Sequence, residues 1–252
     1  MKTLWQPLQD ELARWRDAGQ VADFWWRDDD ATTRTPALER LLALSRDASV
    51  PLALAVIPMG VQTGLLADQD RGVTLLQHGV VHHNLAPTGE KKTEFPVSEP
   101  VPAALDRLAQ GRMRLTALFG DRALPVLVPP WNRISAPDLL PALTGGGFRG
   151  LSRFGPRTLR GMPEGLVQVN THVDVIDWKG TRGFVGTEVA LAQVLTHLQA
   201  RRHARVDAAE ATGWLTHHAV HDEATWMFLE ELFAQTAGRG LVVWRSASEL
   251  FP

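Results

Sequence analysis

Apolar positions along this chain follow two periodicities that alternate from end to end. Short apolar runs with the length and composition of strands occur as "VADFWW" from Val21, "LALAVI" from Leu52, "VTLLQ" from Val73 and "LPVLV" from Leu124, then as "FRGLS" from Phe148, "LVQVNTHVDV" from Leu166, "GWLTH" from Gly213 and "LVVWR" from Leu241. Between them, apolar residues recur every three or four positions over Thr35–Arg46, Val101–Phe119, Gly186–Ala204 and Glu223–Ala237, which predicts helices. A further amphipathic helix is expected near the amino terminus, where Leu4, Leu8, Leu12 and Trp15 share a face. Strands alternating with helices predict a mainly parallel sheet, and the count of seven or eight predicts a distorted (β/α) barrel of about seven strands. Residues 1–252 are expected to form one domain, a usual size for such barrels.

Composition narrows the chemistry. The chain has no cysteine, which rules out disulfides, thiolate metal sites and cysteine nucleophiles, so any metal must be held by His, Asp or Glu. A formal net charge of −2 without a basic stripe gives no reason to expect nucleic acid. The most apolar run, "VPLALAVIP" from Val50, is too short for a transmembrane span, and the amino terminus lacks the uninterrupted apolar stretch of a signal peptide. A cytoplasmic protein is expected, and the sequence leaves its oligomeric state open.

Barrels carry their chemistry on the loops after the carboxyl ends of the strands. Five polar segments fall there: "RDDDA" with Asp28, Asp29 and Asp30, "HGVVH" from His78, "PPWN" from Pro129, "DVIDW" from Asp174, and "LTHH" from Leu215. Three adjacent carboxylates repel one another unless a cation or solvent relieves them. With His78 and His82 at the same rim, a site of two histidines and one carboxylate for a divalent ion explains both segments, and a helical zinc motif does not, because glycine at position 79 disfavours a helix. His83 is expected to stand outside the ligand set. Trp131 and Trp178 offer flat walls for a sugar or similar small polar ring, while alternation sends one of Trp25 and Trp26 into the barrel and the other towards the helices. The irregular stretch "NLAPTGEKKTEFPVSEP", residues 84–100, predicts a long loop that acts as a substrate lid or rim.

The ordered set "RDDDA", "HGVVH", "VPPWN", "DVIDW" and "LTHH" resembles the motif series of the polysaccharide deacetylase (NodB-homology, carbohydrate esterase) family. The resemblance implies that His78, His82 and one aspartate bind a divalent ion, with zinc expected, and that a second aspartate is the catalytic base. Asp29 as base and Asp30 as ligand place Ala31 where the family has its small residue, and the pair Asp28 and Asp29 is the alternative. By the same resemblance, Asp174 is the carboxylate that orients a catalytic histidine, which is His217 or, failing that, His218. Trp131, Asn132 and Trp178 would line the substrate groove. Val128 occupies the position of the family's base-holding arginine, a part that Arg27 or Arg133 would have to take. The implied activity is removal of an acetyl group from an N-acetylated sugar or glycan precursor. A cyclic-amide or imide hydrolase, or a carbohydrate-binding homologue without turnover, are the alternatives.

Overall fold

Every second residue of the first strand is packed on the same side, and that alternation organises the molecule. The computed structural model describes residues 4–158 and 160–252. Its first strand, β1 (Ala22–Ala31), lies at the centre of a parallel sheet between β2 (Leu52–Val56) and β8 (Thr212–Thr216). Trp25 packs with Ala53, Ala55, Leu76, Val126, Val128 and Val169 in the barrel interior, whereas Phe24 and Trp26 join the layer formed with the helices. The expected division of Trp25 from Trp26 is therefore found. Small interior neighbours make room for the indole: a β-carbon on Gly213 would stand 2.4 Å from Trp25 Nε1.

Beyond β2 the sheet continues through β3 (Val73–His78), β4 (Ala123–Val128), β5 (Gly150–Leu151) and β6 (Val167–Gln168), and beyond β8 through β7 (Val173–Asp174). The single strand expected from Leu166 is thus two short ones. Several amides of this stretch and its neighbours are bonded to side chains instead of a ladder: Asn170 N–H donates to Glu210 Oε1, and Gly213 N–H donates to His172 Nδ1. β6 pairs with β5 and β7 pairs with β8, so one continuous stretch of chain reaches both ends of the sheet. With β6 and β7 counted as one stave, the sheet curls into a distorted barrel of seven. The last strand, β9 (Val242–Trp244), adds instead to the beginning of β1, and Phe251 stacks edge-on against Trp25 to plug the barrel floor.

The helices are α1 (Gln6–Asp17), α2 (Pro36–Ala48), α3 (Val101–Phe119), α4 (Leu139–Ala142), α5 (Thr187–Arg202), α6 (Glu223–Thr236) and α7 (Ala247–Leu250). α2 and α6 begin where Thr35 and Asp222 side chains accept the N–H groups of Leu38 and Thr225, the usual relief for unbonded first-turn amides. α1 buries Leu8, Leu12 and Trp15 as expected, but Leu4 lies before the helix and is exposed. Among the described residues no helix is long and apolar enough to cross a membrane.

Candidate metal centre

β1 does not stop before its aspartates, as the sequence suggests; it runs through them, and its alternation assigns them different surroundings. Arg27 and Asp29 share the inward side with Trp25, and Asp28 shares the outward side with Trp26. Between Asp28 and Ala31 the register with β2 slips, and Asp30 takes a left-handed backbone with φ 71°. Such a bulge re-aims a side chain. It turns Asp30, which strict alternation would send outward, to the same mouth as Asp29.

The mouth is completed by β3. His78 is its last residue, inward like Leu76, and a turn with φ 55° at Gly79 and 58° at His82 brings the second imidazole back beside the first. Asp30 Oδ1 then lies 3.1 Å from His78 Nε2 and 3.3 Å from His82 Nε2. This oxygen is buried and has no hydrogen-bond partner. His78 Nδ1 is 2.9 Å from the Val128 carbonyl, an acceptor, so Nδ1 carries the ring's proton and Nε2 presents a lone pair. A lone pair facing a carboxylate oxygen at 3.1 Å is repulsive unless a proton or a metal cation lies between them. The three groups therefore fit a divalent ion. Burial pushes the Asp30 carboxyl up, but the neighbouring imidazoles of His78, His217 and His82 outweigh it and hold the carboxyl well below its usual range. Burial likewise lowers His78, and Asp30 and Asp29 outweigh it, raising the imidazole.

A second cluster of similar composition, His172, His197 and Glu210, lies fully buried beside α5. Its tautomer is the reverse. Gly213 N–H donates to His172 Nδ1, which leaves the proton on Nε2, 3.3 Å from Glu210 Oε2, and no lone pair there for a metal. The two rings are stacked with centroids 3.4 Å apart. In this tautomer the cluster bridges chain segments, whereas the donors at the mouth are suited to a metal.

Around Asp30 the remaining expected residues take distinct places. Asp29 is buried and held by a two-pronged ion pair: Arg27 Nε donates to Oδ1 at 2.8 Å and Nη2 to Oδ2 at 3.0 Å. The same guanidinium donates to Ser152 Oγ at 2.6 Å and to Asn132 Oδ1 at 2.8 Å. Of the two arginines that could compensate for Val128, Arg27 holds Asp29, whereas Arg133 reaches the Lys92 carbonyl in the 84–100 loop. Asp28 is committed elsewhere: it accepts from Thr216 Oγ1 at 2.7 Å, from His218 N–H at 2.9 Å and meets His218 Nδ1 at 2.5 Å. Burial opposes both charges, yet each partner outweighs it for the other, lowering the Asp28 carboxyl and raising the His218 imidazole.

His217 follows β8 on the inward side, opposite to His218, and its Nδ1 is buried without a hydrogen-bond partner. Asp174 is not bonded to it. Its carboxylate accepts from Ile176 N–H at 3.0 Å and from Trp178 Nε1 at 2.9 Å, and the Trp178 ring stands edge-on to His217 with centroids 4.6 Å apart. Burial raises the Asp174 carboxyl, against the opposing pull of His217. Trp131, with φ 54°, lays its ring against His82 at 4.6 Å between centroids. Trp178 is 41 % exposed, open to a ligand arriving at the mouth. His83 is exposed and belongs to no cluster. Ser152 and Glu94, which contact this machinery, carried no signal in the sequence because neither lies in a motif.

No family model matches the sequence, and no curated protein matches it significantly. Its fold is nonetheless shared. The peptidoglycan deacetylase PdaC from Bacillus subtilis superposes with a TM-score of 0.54 at 16% identity, over 91% of this chain and 90% of that one. A family 4 carbohydrate esterase from Streptomyces lividans, in complex with acetate, gives 0.53 at 14% identity, over 88% and 90%. A family 4 acetyl xylan esterase from Clostridium thermocellum, in complex with a cobalt ion, gives 0.52 at 13% identity, over 90% and 89%. The chain thus has the distorted barrel of the family 4 carbohydrate esterases and polysaccharide deacetylases, as the motif order implies.

Proposed function

We propose that this barrel, with the fold of the polysaccharide deacetylases and a two-histidine, one-aspartate cluster at its mouth, is a metal-dependent hydrolase that removes an acetyl group from an N-acetylated sugar or glycan precursor. The observation that carries the reading is the convergence of three donors at the mouth, with Asp30 Oδ1 3.1 Å from His78 Nε2 and 3.3 Å from His82 Nε2, an arrangement suited to one divalent cation. The cobalt ion in the Clostridium thermocellum esterase of the same fold supports it. Asp30, His78 and His82 would hold the ion, with zinc favoured by the nitrogen-rich donor set. When bound, such an ion polarises an acyl carbonyl and acidifies a water.

The protein's own groups supply the rest. Asp29 is the base that takes the proton from water, and the two-pronged grip of Arg27 fixes the direction of its lone pairs. Because Arg27 fills the place left by Val128, the missing motif arginine gives no reason to expect a protein without turnover. His217 carries the proton needed by the departing amine, since an amine is a poor leaving group until protonated. Asp174 positions it indirectly, by holding the Trp178 indole against the imidazole. Trp131 and Trp178 are placed to flank a sugar ring, and Asn132, tied to Arg27, links that wall to the base. Acetate release from a panel of small N-acetyl sugars, with metal content determined on the same sample, tests the proposal. Bound ion without acetate release from any of them would refute the deacetylase assignment.

A further inference from the structure

The loop over residues 84–100 is expected from the sequence to be a substrate lid or rim, but its middle, residues 93–96, is built into the protein. Thr93, Glu94 and Phe95 are buried, and the Phe95 carbonyl accepts the N–H groups of Ser135 and Ala136. Glu94, with no exposed surface, sends its carboxylate back under the "HGVVH" turn. Val80 N–H donates to Oε2 at 3.1 Å, Val81 N–H to Oε1 at 2.9 Å and His82 N–H to Oε2 at 3.3 Å. Three consecutive amides that converge on one carboxylate form an anion nest. Arg107 of α3 closes the far side, with Nη1 3.2 Å from Oε1.

This seat also explains Gly79. A β-carbon there would stand 2.1 Å from Glu94 Oε2 and 2.6 Å from Pro130 Cγ, so the carboxylate and the turn occupy space that only glycine leaves free. His82 has the greater need of support. His78 is fixed by strand β3 and by the Val128 carbonyl, whereas His82 lies beyond the strand in a left-handed conformation that costs a non-glycine residue of order 1 kcal/mol or more.

We propose that Glu94 is a positioning residue for the metal centre: its carboxylate, seated on the amides of Val80, Val81 and His82, holds the turn that aims the His82 imidazole at Asp30. The role rests on the metal centre proposed above. Groups that orient metal ligands typically change affinity by about 10–100-fold when removed.

The test is a double-mutant cycle on the affinity for Zn²⁺, measured by chelator competition, in the parent, Glu94→Gln, His82→Ala and the double variant. Glutamine keeps the shape but turns an N–H group towards the nest. Glu94→Gln should weaken binding about tenfold or more, and in the His82→Ala background it should add little, about twofold at most. Hydrogen exchange on the metal-free protein should show the Val80–His82 amides losing protection while those of β3 keep theirs. Parental affinity in Glu94→Gln, or the same loss of affinity in both backgrounds, would overturn the proposal. If Glu94→Gln does not fold, Glu94→Asp, one methylene short of the nest, goes through the same cycle with the same criteria. A parent that binds no Zn²⁺ would refute the metal centre and the positioning role with it, while exchange would still report whether Glu94 braces the turn.

Discussion

Arg27→Met should expose how far this site depends on a single guanidinium. Arg27 is fully buried and makes four short bonds: two to Asp29, one to Ser152 and one to Asn132. Methionine fills much of the same volume and supplies none of them, so Asp29 is left as a buried, uncompensated carboxylate. Breaking a buried ion pair from one side typically costs about 3–5 kcal/mol. Asp29→Asn alone removes the charge but leaves the guanidinium its Ser152 and Asn132 partners and one amide acceptor, a loss of about 1.5–3 kcal/mol for a charge-assisted bond. When both are replaced no charge is stranded, and the pair should be less destabilised than the sum of the single variants by about 2 kcal/mol, within the range for residues in direct contact. Urea unfolding of the four proteins, monitored by tryptophan fluorescence, measures this. Additivity to within about 0.5 kcal/mol would mean that the two side chains are energetically independent, and would refute the claim that Arg27 holds the base.

Other consequences concern groups around the same barrel. His217→Ala should reduce turnover by roughly 10²–10⁴-fold with metal content intact, whereas His218→Gln should act on stability, costing about 3 kcal/mol by stranding Asp28; turnover assays and unfolding curves on both variants decide between these roles. His197→Gln should keep the parental affinity for Zn²⁺ in chelator competition, and His82→Ala should weaken it, if the reversed tautomer of the second cluster excludes metal. That cluster also sets an acid limit. Burial lowers the His172 imidazole, and burial with the His172 and Arg201 charges pushes His197 down to about 2. The unfolded chain therefore takes up protons near the ordinary value of 6.5 while the folded one does not, so stability is complete above that pH and falls as pH drops below it. Each histidine contributes a slope of up to about 1.4 kcal/mol per pH unit, and His197→Gln should remove one of the two contributions in unfolding free energies measured between pH 4 and pH 7.

The sequence by itself determined the alternation of strands and helices, and with it the barrel. Helix α3 begins and ends where its apolar spacing places it, because an amphipathic repeat of nineteen residues is a strong local signal. The sequence also brought the five polar segments to one rim, since parallel strands all point their carboxyl ends the same way. Period two separated His217 from His218 and Trp25 from Trp26 without any knowledge of their neighbours. What it could not determine was where that period fails. The register slip at Asp30 and the left-handed turns at Gly79, His82 and Trp131 depend on what surrounds them, and no local pattern marks a bulge in a run of three aspartates. Partner choice lay equally beyond it. Arg27 and Ser152 are 125 positions apart, and Glu94 meets His82 from an irregular loop, so only the folded chain shows which charge Arg27 balances and which amides Glu94 receives. Two clusters of histidine and carboxylate likewise look alike in composition. The proton on each imidazole distinguishes them, and it is placed by a carbonyl on β4 in one case and an N–H on β8 in the other.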